Sequence, residues 1–393
     1  MWIERTILPL VRQRAAQRPV VLVTGARQVG KTRLVRHAFP DHAYVSLDLP
    51  SDAALADQDP ATFLAAHPPP VIIDEVQYAP GLFRHLKVAV DADRERTGQF
   101  VLTGSQKAPL MKSVSESLAG RVDVIELEGL TWAEIRAARP EMTVEEALVR
   151  GGYPELYEKP ELDAAAWYRS YVATYLERDV RQLHTVGNLR DYERFVRACA
   201  LRSANLLNRA ELSRDVGVSG PTAASWLSVL QASNQVALLE PWFSNRTKSL
   251  IKTPKLYLCD SGLCAFLVGL HDARDLVRSP LAGPLWETFV FAQLRRGQTN
   301  ATGGWDLWFW RDRSREVDFL YHRAGQFDLA DAKLGAEPSP SDLGPLRKVA
   351  GRLPEGSVRS LALVCRAPRA YPLGPGARAL PADAQWPPEP PWS

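Results

Sequence analysis

Residues 25–32 read Gly25-Ala26-Arg27-Gln28-Val29-Gly30-Lys31-Thr32, with the spacing G-x-x-x-x-G-K-[ST]. Glycines at these positions let consecutive backbone N–H groups turn inward around a phosphate, and the start of the following helix adds its partial positive charge. Lys31 then brings a point charge to the β- and γ-phosphates, and Thr32 offers its hydroxyl to magnesium. The segment Gly25 to Thr32, with Arg33 beside it, is the expected binding set for ATP and Mg2+. Residues 71–75 supply the complementary acids. Val71-Ile72-Ile73 is an apolar run that ends in Asp74 and Glu75. Asp74 would hold the magnesium shell and Glu75 would orient or deprotonate the attacking water. A strand ending in two solvated acids is common in itself; joined to the phosphate loop, it points to nucleotide hydrolysis.

Two further positions refine this chemistry. Phe100-Val101-Leu102 runs into Thr103, Gly104 and Ser105, where hydroxyls would sense the γ-phosphate. Arg121 follows Gly120 just before another apolar run. It reads either as a finger reaching a neighbouring subunit's nucleotide, which requires assembly, or as a surface ion pair.

A second constellation lies in the last third. Glu287 sits in an amphipathic stretch, Glu316 and Asp318 alternate along a strand and so share a face, and Asp331 and Lys333 share a face of the next strand. An antiparallel pairing would gather Glu287, Asp318 and Asp331 around Mg2+, with Lys333 positioning water for phosphodiester attack. Arg311, Arg313 and Arg315 precede the acids and would grip a DNA backbone. The alternatives are a hairpin with ordinary ion pairs, or a nuclease fold retained only for binding.

In the middle of the chain, residues 207–219 read as a short helix and a glycine turn at Gly217, and residues 221–231 as a second helix. That is a helix-turn-helix pattern, with residues 236–239 as the wing strand. Ser219 and Thr222 would face a phosphate backbone, with Arg209, Arg214 and Arg246 as basic contacts. The second helix opens with Pro221, Thr222, Ala223, Ala224 and Ser225, with no Arg or Lys to read a base edge. Backbone contact or docking to protein is favoured over sequence reading.

These residues need elements to hold them. Apolar runs at 20–23, 43–47, 71–73, 100–102 and 122–127 alternate with helical stretches, which predicts a parallel sheet covered on both faces. A mainly helical middle follows, broken at Gly151-Gly152-Tyr153-Pro154 and containing an aromatic, arginine-rich helix over 164–183. Mixed strands and helices return after about residue 252, and a proline-rich segment ends the chain. The reading is α/β throughout. It comprises an ATPase domain over 1–140, a helical and winged-helix region over 141–245, a nuclease-like domain over 246–385, and a tail over 386–393.

Length and composition agree. At 393 residues, with 46% hydrophobic and 24% charged residues, the chain is an ordinary globular protein of two or three domains. No apolar window is long enough to span a membrane. The N-terminus lacks a secretory pattern, and four cysteines are too few and irregular for a disulfide framework, so the cytoplasm is expected. Net charge is only +3, yet 38 of the 48 basic residues are arginine. Arginine favours bidentate phosphate recognition, although a GC-rich genome gives the same bias.

The order of Gly25–Thr32, Asp74-Glu75-Val76-Gln77, Leu102-Thr103-Gly104-Ser105-Gln106, Leu118-Ala119-Gly120-Arg121-Val122 and Gly151-Gly152-Tyr153-Pro154 resembles a group of prokaryotic AAA+-type ATPases. Members of that group carry a C-terminal region with a restriction-endonuclease-like fold, and Asp318 with Asp331-Ala332-Lys333 is similar to a PD-(D/E)xK motif. The resemblance implies a homo-oligomeric ATPase acting on DNA, such as a hexameric ring, with branched DNA as one substrate. Two rivals stay open. One is a slow ATPase switch that controls a protein partner, and the other is a metal-dependent nuclease that uses ATP as an assembly cue.

Overall fold

The computed structural model describes residues 1–105, 107–176, 189–243, 253–300, 306–312, 315–384 and 386. Arg313, Arg246, the end of the aromatic helix and the proline-rich segment after Trp386 lie outside the described residues.

The apolar runs of the first third become β1 (Val20–Thr24), β2 (Ala43–Ser46), β3 (Val71–Asp74), β4 (Phe100–Gly104) and β5 (Val122–Glu126). They form one parallel sheet in the order β2-β3-β4-β1-β5. Every residue of β1, β3 and β4 is buried, which is why these strands read as unbroken apolar runs rather than alternating ones. Along β1 successive side chains enter opposite layers: Val21 and Val23 join one core, and Val20 and Leu22 the other. Because all strands run the same way, Thr24, Asp74 and Gly104 end along one edge of the sheet. Arg121, which immediately precedes β5, lies at the opposite edge.

Helices follow at Trp132–Ala138, Val144–Arg150, Glu155–Glu158 and Ala164–Tyr171. The break between the second and third is Gly151-Gly152-Tyr153-Pro154, and its glycines have a packing reason. Gly151 has φ 78°, and a Cβ there would lie 2.1 Å from the Tyr168 hydroxyl and 2.4 Å from Asp260. A Cβ on Gly152 would lie 2.7 Å from the Arg296 guanidinium.

Then come the helix Leu189–Leu201, β6 (Asn205–Leu206), the helices Arg209–Val216 and Gly220–Ala232, β7 (Val236–Leu239) and β8 (Lys255–Leu258). The three strands pair in the order β6-β8-β7 beneath the helices, a winged-helix arrangement. Trp226 on the third helix packs edge-on against Tyr192 and Phe195 of the first, at ring separations of 5.4 and 5.5 Å. The domain boundary expected at 245/246 is corrected here. β8 lies beyond it, yet completes the winged-helix sheet. The next helix, Ser261–Leu267, also packs back against Val144–Arg150.

The last unit is a mixed sheet of β9 (Asp306–Arg311), β10 (Glu316–Arg323), β11 (Gln326–Ala332), β12 (Val358–Cys365), β13 (Tyr371–Gly374) and β14 (Ala377–Pro381), ordered β13-β14-β12-β11-β10-β9. The helix Ala282–Asn300 covers one face and Gly344–Ala350 the other. Pairing of β9 with β10 slips between Val317 and Leu320. As a result Val317 and Leu320 enter one core while Phe319 and Tyr321 enter the other.

Candidate nucleotide site and the acidic centre of the last domain

The phosphate-loop motif lies between the end of β1 and the helix Lys31–Ala38, with Gly30 in the left-handed conformation at the helix entry. Gly25 has φ 141°, and a Cβ there would lie 2.0 Å from the Leu127 carbonyl oxygen, so only glycine fits. Lys31 is buried, and its ammonium donates to the loop carbonyls of Gly25 and Ala26 at 3.1 and 2.8 Å. A positive group is thus held inside the ring of backbone that the motif builds.

Asp74 is the hub of the acidic side. It accepts from Thr32 Oγ1 at 2.8 Å, from the Tyr44 hydroxyl at 2.9 Å and from Thr103 Oγ1. Burial, then the Asp74 carboxylate, push the Tyr44 hydroxyl up to about 12, so Tyr44 stays protonated and donates. Glu75 has φ 56°, which turns its side chain sharply away from that of Asp74. Its backbone N–H donates to Thr103 Oγ1 at 3.1 Å, while Ser105 Oγ lies 3.4 Å from its carboxylate and Gln77 donates to the same oxygen. Thr103 and Ser105, expected as γ-phosphate sensors, therefore hold the two acids in place.

A cavity of about 390 Å³ opens beside the loop, within the size range of small-molecule sites. Gly30, Lys31, Thr32 and Glu75 line its polar side, and Ile3, Leu130 and Pro154 its apolar side. Arg5 closes the back by donating to the carbonyls of Val29 and Glu128 at 3.0 and 2.7 Å. Arg33 also lines the cavity, donating to the Met1 carbonyl and pairing with Glu158. The residues fit a magnesium-bound nucleoside triphosphate. They offer a glycine-built cradle, an enclosed ammonium, and a hydroxyl and carboxylate already in contact.

Arg121 does not join this site. Its guanidinium makes a bidentate pair with Asp91 at 2.7 and 2.8 Å, on the sheet edge opposite the phosphate loop. Within this chain Arg121 makes the surface ion pair that was one of its two readings.

In the last domain, Glu287, Glu316, Asp318 and Asp331 do come together, because strand alternation and β10–β11 pairing act as expected. The Asp318 backbone N–H donates to Asp331 at 3.2 Å, and Ala332 N–H donates to Asp318 at 3.0 Å. Burial, then the Asp318 charge, raise both Glu287 and Asp331 to about 7. Lys333 stands aside, its ammonium 3.9 Å from Asp331 and partly in solvent. A further side chain shares the expected metal site. Lys255, from β8, places its buried ammonium among Glu287, Glu316 and Asp318. Burial alone would lower its pKa, but these three carboxylates overcome that and hold it above the ordinary value. Among the described residues no group of three acidic, histidine or cysteine side chains is arranged to hold a metal ion. The sequence carried one faint signal of Lys255, a lysine opening an otherwise apolar strand.

Of the expected DNA contacts, Arg209 and Arg214 are exposed on the winged helix. Ser219 and Thr222 are committed locally: Ser219 caps the helix Gly220–Ala232 by accepting from Thr222 N–H, and the two hydroxyls lie 2.7 Å apart. Arg311 pairs with Glu316 at 2.9 Å, and Arg315 donates its backbone N–H to Asp312. Sequence reasoning missed Tyr44 and Arg5, since no local pattern announces a residue that reaches the site from another strand or from the N-terminal segment, and it named Gln77 in a motif without its role at Glu75.

Three family models match along the chain: AAA domain over residues 17–136, Domain of unknown function (DUF8612) over 141–274, and Domain of unknown function (DUF4143) over 282–384. Two curated relatives are Uncharacterized protein Rv2008c of Mycobacterium tuberculosis and Uncharacterized protein Mb2031c of Mycobacterium bovis. Each is 34% identical over 389 residues, covering 98% of this chain and 85% of its own. Among solved structures, the Walker-type ATPase PABY2304 of Pyrococcus abyssi is similar at 16% identity with a TM-score of 0.47, over 68% of this chain and 96% of that one. Among the described residues no helix is long and apolar enough to cross a membrane.

Proposed function

The chain belongs to the family of these two mycobacterial proteins and is built on an AAA domain, and from that premise we propose that it hydrolyses ATP and couples turnover to DNA remodelling. One observation carries the ATPase part: Thr32 Oγ1 and Asp74 meet at 2.8 Å at the mouth of a glycine cradle that already encloses Lys31. Bound Mg2+–ATP supplies an electrophilic γ-phosphorus. Gly25 to Thr32 hold the phosphates through backbone N–H groups and the Lys31 charge. Thr32 and Asp74 hold the ion, with Tyr44 and Thr103 orienting the Asp74 carboxylate. Glu75, turned aside by its backbone and steadied by Gln77 and Ser105, accepts the proton of the attacking water.

Phosphate release and binding of labelled ATP test this. Lys31→Ala should lower turnover at least about 100-fold, the scale for losing one preorganised charge at a developing anion. Glu75→Gln should keep ATP binding while losing turnover about 100-fold or more. Full turnover in both variants sinks the assignment.

The DNA part is supported by a winged-helix arrangement whose exposed Arg209 and Arg214 suit backbone contact. Duplex and branched DNA should stimulate phosphate release, and Arg209→Glu with Arg214→Glu should remove that stimulation and flatten its salt dependence. Indifference of turnover to DNA favours the rival reading of a slow switch on a protein partner. The proposal includes assembly of several copies, a hexameric ring in the simplest case. A mass measurement with ATP present decides that, and a monomer under turnover conditions ends that part.

A further inference from the structure

The acidic centre between the helix Ala282–Asn300 and strands β10 and β11 is arranged around a side chain from another domain. Lys255 is 1% exposed. Its Nζ lies 2.8 Å from Glu287 Oε1, 2.5 Å from Glu316 Oε1 and 3.3 Å from Asp318 Oδ1. The ammonium donates to Glu287 and Asp318 and forms an ion pair with Glu316, so three carboxylates surround its three N–H donors. A further side of the ammonium faces the Phe309 ring, 5.7 Å from its centre. Tyr257, two residues along the same face of β8, donates to Glu287 Oε1 at 2.6 Å. The second oxygen of Asp318 accepts from Ala332 N–H, and Asp331 accepts from Asp318 N–H.

Lys255 cannot easily step aside. Its backbone pairs with Leu206 of β6 on one side and Leu239 of β7 on the other, so the residue is fixed in the centre strand of the winged-helix sheet. A divalent ion entering the centre would meet a positive charge within bonding distance of the same oxygens, in surroundings where charge repulsion is poorly screened.

We infer that Lys255 is the resident cation of this centre, so that the last domain binds no catalytic Mg2+ or Mn2+ there and its acids instead latch the winged-helix sheet onto the C-terminal sheet. The carboxylates have the composition of a metal site, and the ammonium converts them into an interdomain joint. This inference stands apart from the ATPase reading, because it concerns a nucleotide-independent centre and is tested without nucleotide.

The test is Mn2+ titration of the full nucleotide-free chain, followed by electron paramagnetic resonance of free Mn2+, with thermal unfolding in parallel. Only binding that Asp318→Asn abolishes counts toward this centre. Wild type should show no such binding. Lys255→Met should unfold roughly 5–10 °C lower, the range expected for breaking a buried ion pair in a chain of this size. It should also gain one Asp318-dependent Mn2+ site, and Mn2+ should restore part of the lost Tm. Lys255→Gln, which keeps a hydrogen-bond donor and most of the volume, carries the same test if the methionine variant does not fold. Asp318-dependent Mn2+ binding by wild type overturns the inference. So does a soluble lysine variant that keeps the wild-type Tm and gains no site.

Discussion

Lys31, Thr32, Asp74 and Glu75 were readable from spacing alone, because a phosphate cradle demands glycine, lysine and hydroxyl at fixed intervals along one continuous segment. Tyr44 and Thr103 were not readable in the roles they take, since each acts through a hydrogen bond to an acid on a neighbouring strand. The acidic centre shows the same division. Its carboxylates were legible from strand alternation, but the lysine among them comes from a strand about 60 residues upstream. A pH dependence belongs to this scale. Glu287 and Asp331 sit near 7 in the folded chain, above their ordinary 4.5 and 3.8, through burial and the charge of Asp318. The folded state therefore binds more protons than the unfolded chain across that window, and stability falls as pH rises through it. Thermal unfolding between pH 5 and pH 8 should show Tm falling, and Glu287→Gln or Asp331→Asn should flatten the slope. A slope that both variants leave unchanged refutes the assignment.

At the scale of elements, the helix-turn-helix was placed within a residue or two, because the turn at Gly217 and the cap at Ser219 are local instructions. Those same instructions account for two of the expected DNA contacts. The Ser219 hydroxyl accepts from Thr222 N–H, which would otherwise be an unpaired donor of the first helical turn. Ser219→Ala should cost about 1 kcal/mol in urea unfolding while leaving DNA affinity nearly unchanged. Arg214→Ala should do the reverse. A loss of DNA affinity without loss of stability in Ser219→Ala would return that residue to the interface. The boundary placed at 245/246 failed for a related reason. A wing strand is defined by its partners, and the partners of β8 begin at Asn205 and Val236.

For the whole molecule, the Gly151-Gly152 break is where three regions meet. Asp260 accepts from Gly152 N–H at 2.7 Å, from the Tyr168 hydroxyl at 2.8 Å and from Arg296 at 3.3 Å. Arg296 in turn donates to the Leu130 carbonyl at 2.6 Å, close to the end of the AAA domain. Both charged groups are buried, so Asp260→Ala leaves a guanidinium without its counter-charge and should cost about 3–5 kcal/mol of stability. It should also uncouple the ATPase domain from the helical and winged-helix region, which hydrogen exchange at Gly151–Tyr153 and Leu130 would report. An Asp260→Ala protein with wild-type exchange and Tm refutes the joint. The sequence by itself determined the parallel sheet, the phosphate loop with its acids and the winged helix, because each is specified by spacing within a few consecutive residues. Only the tertiary structure decided that Arg121 is tied to Asp91, that Thr103 serves Asp74, and that Lys255 fills the acidic centre. Those outcomes depend on which residues the fold brings together from distant segments: Thr103 and Lys255 meet their acids in buried space, and Arg121 meets Asp91 at the surface.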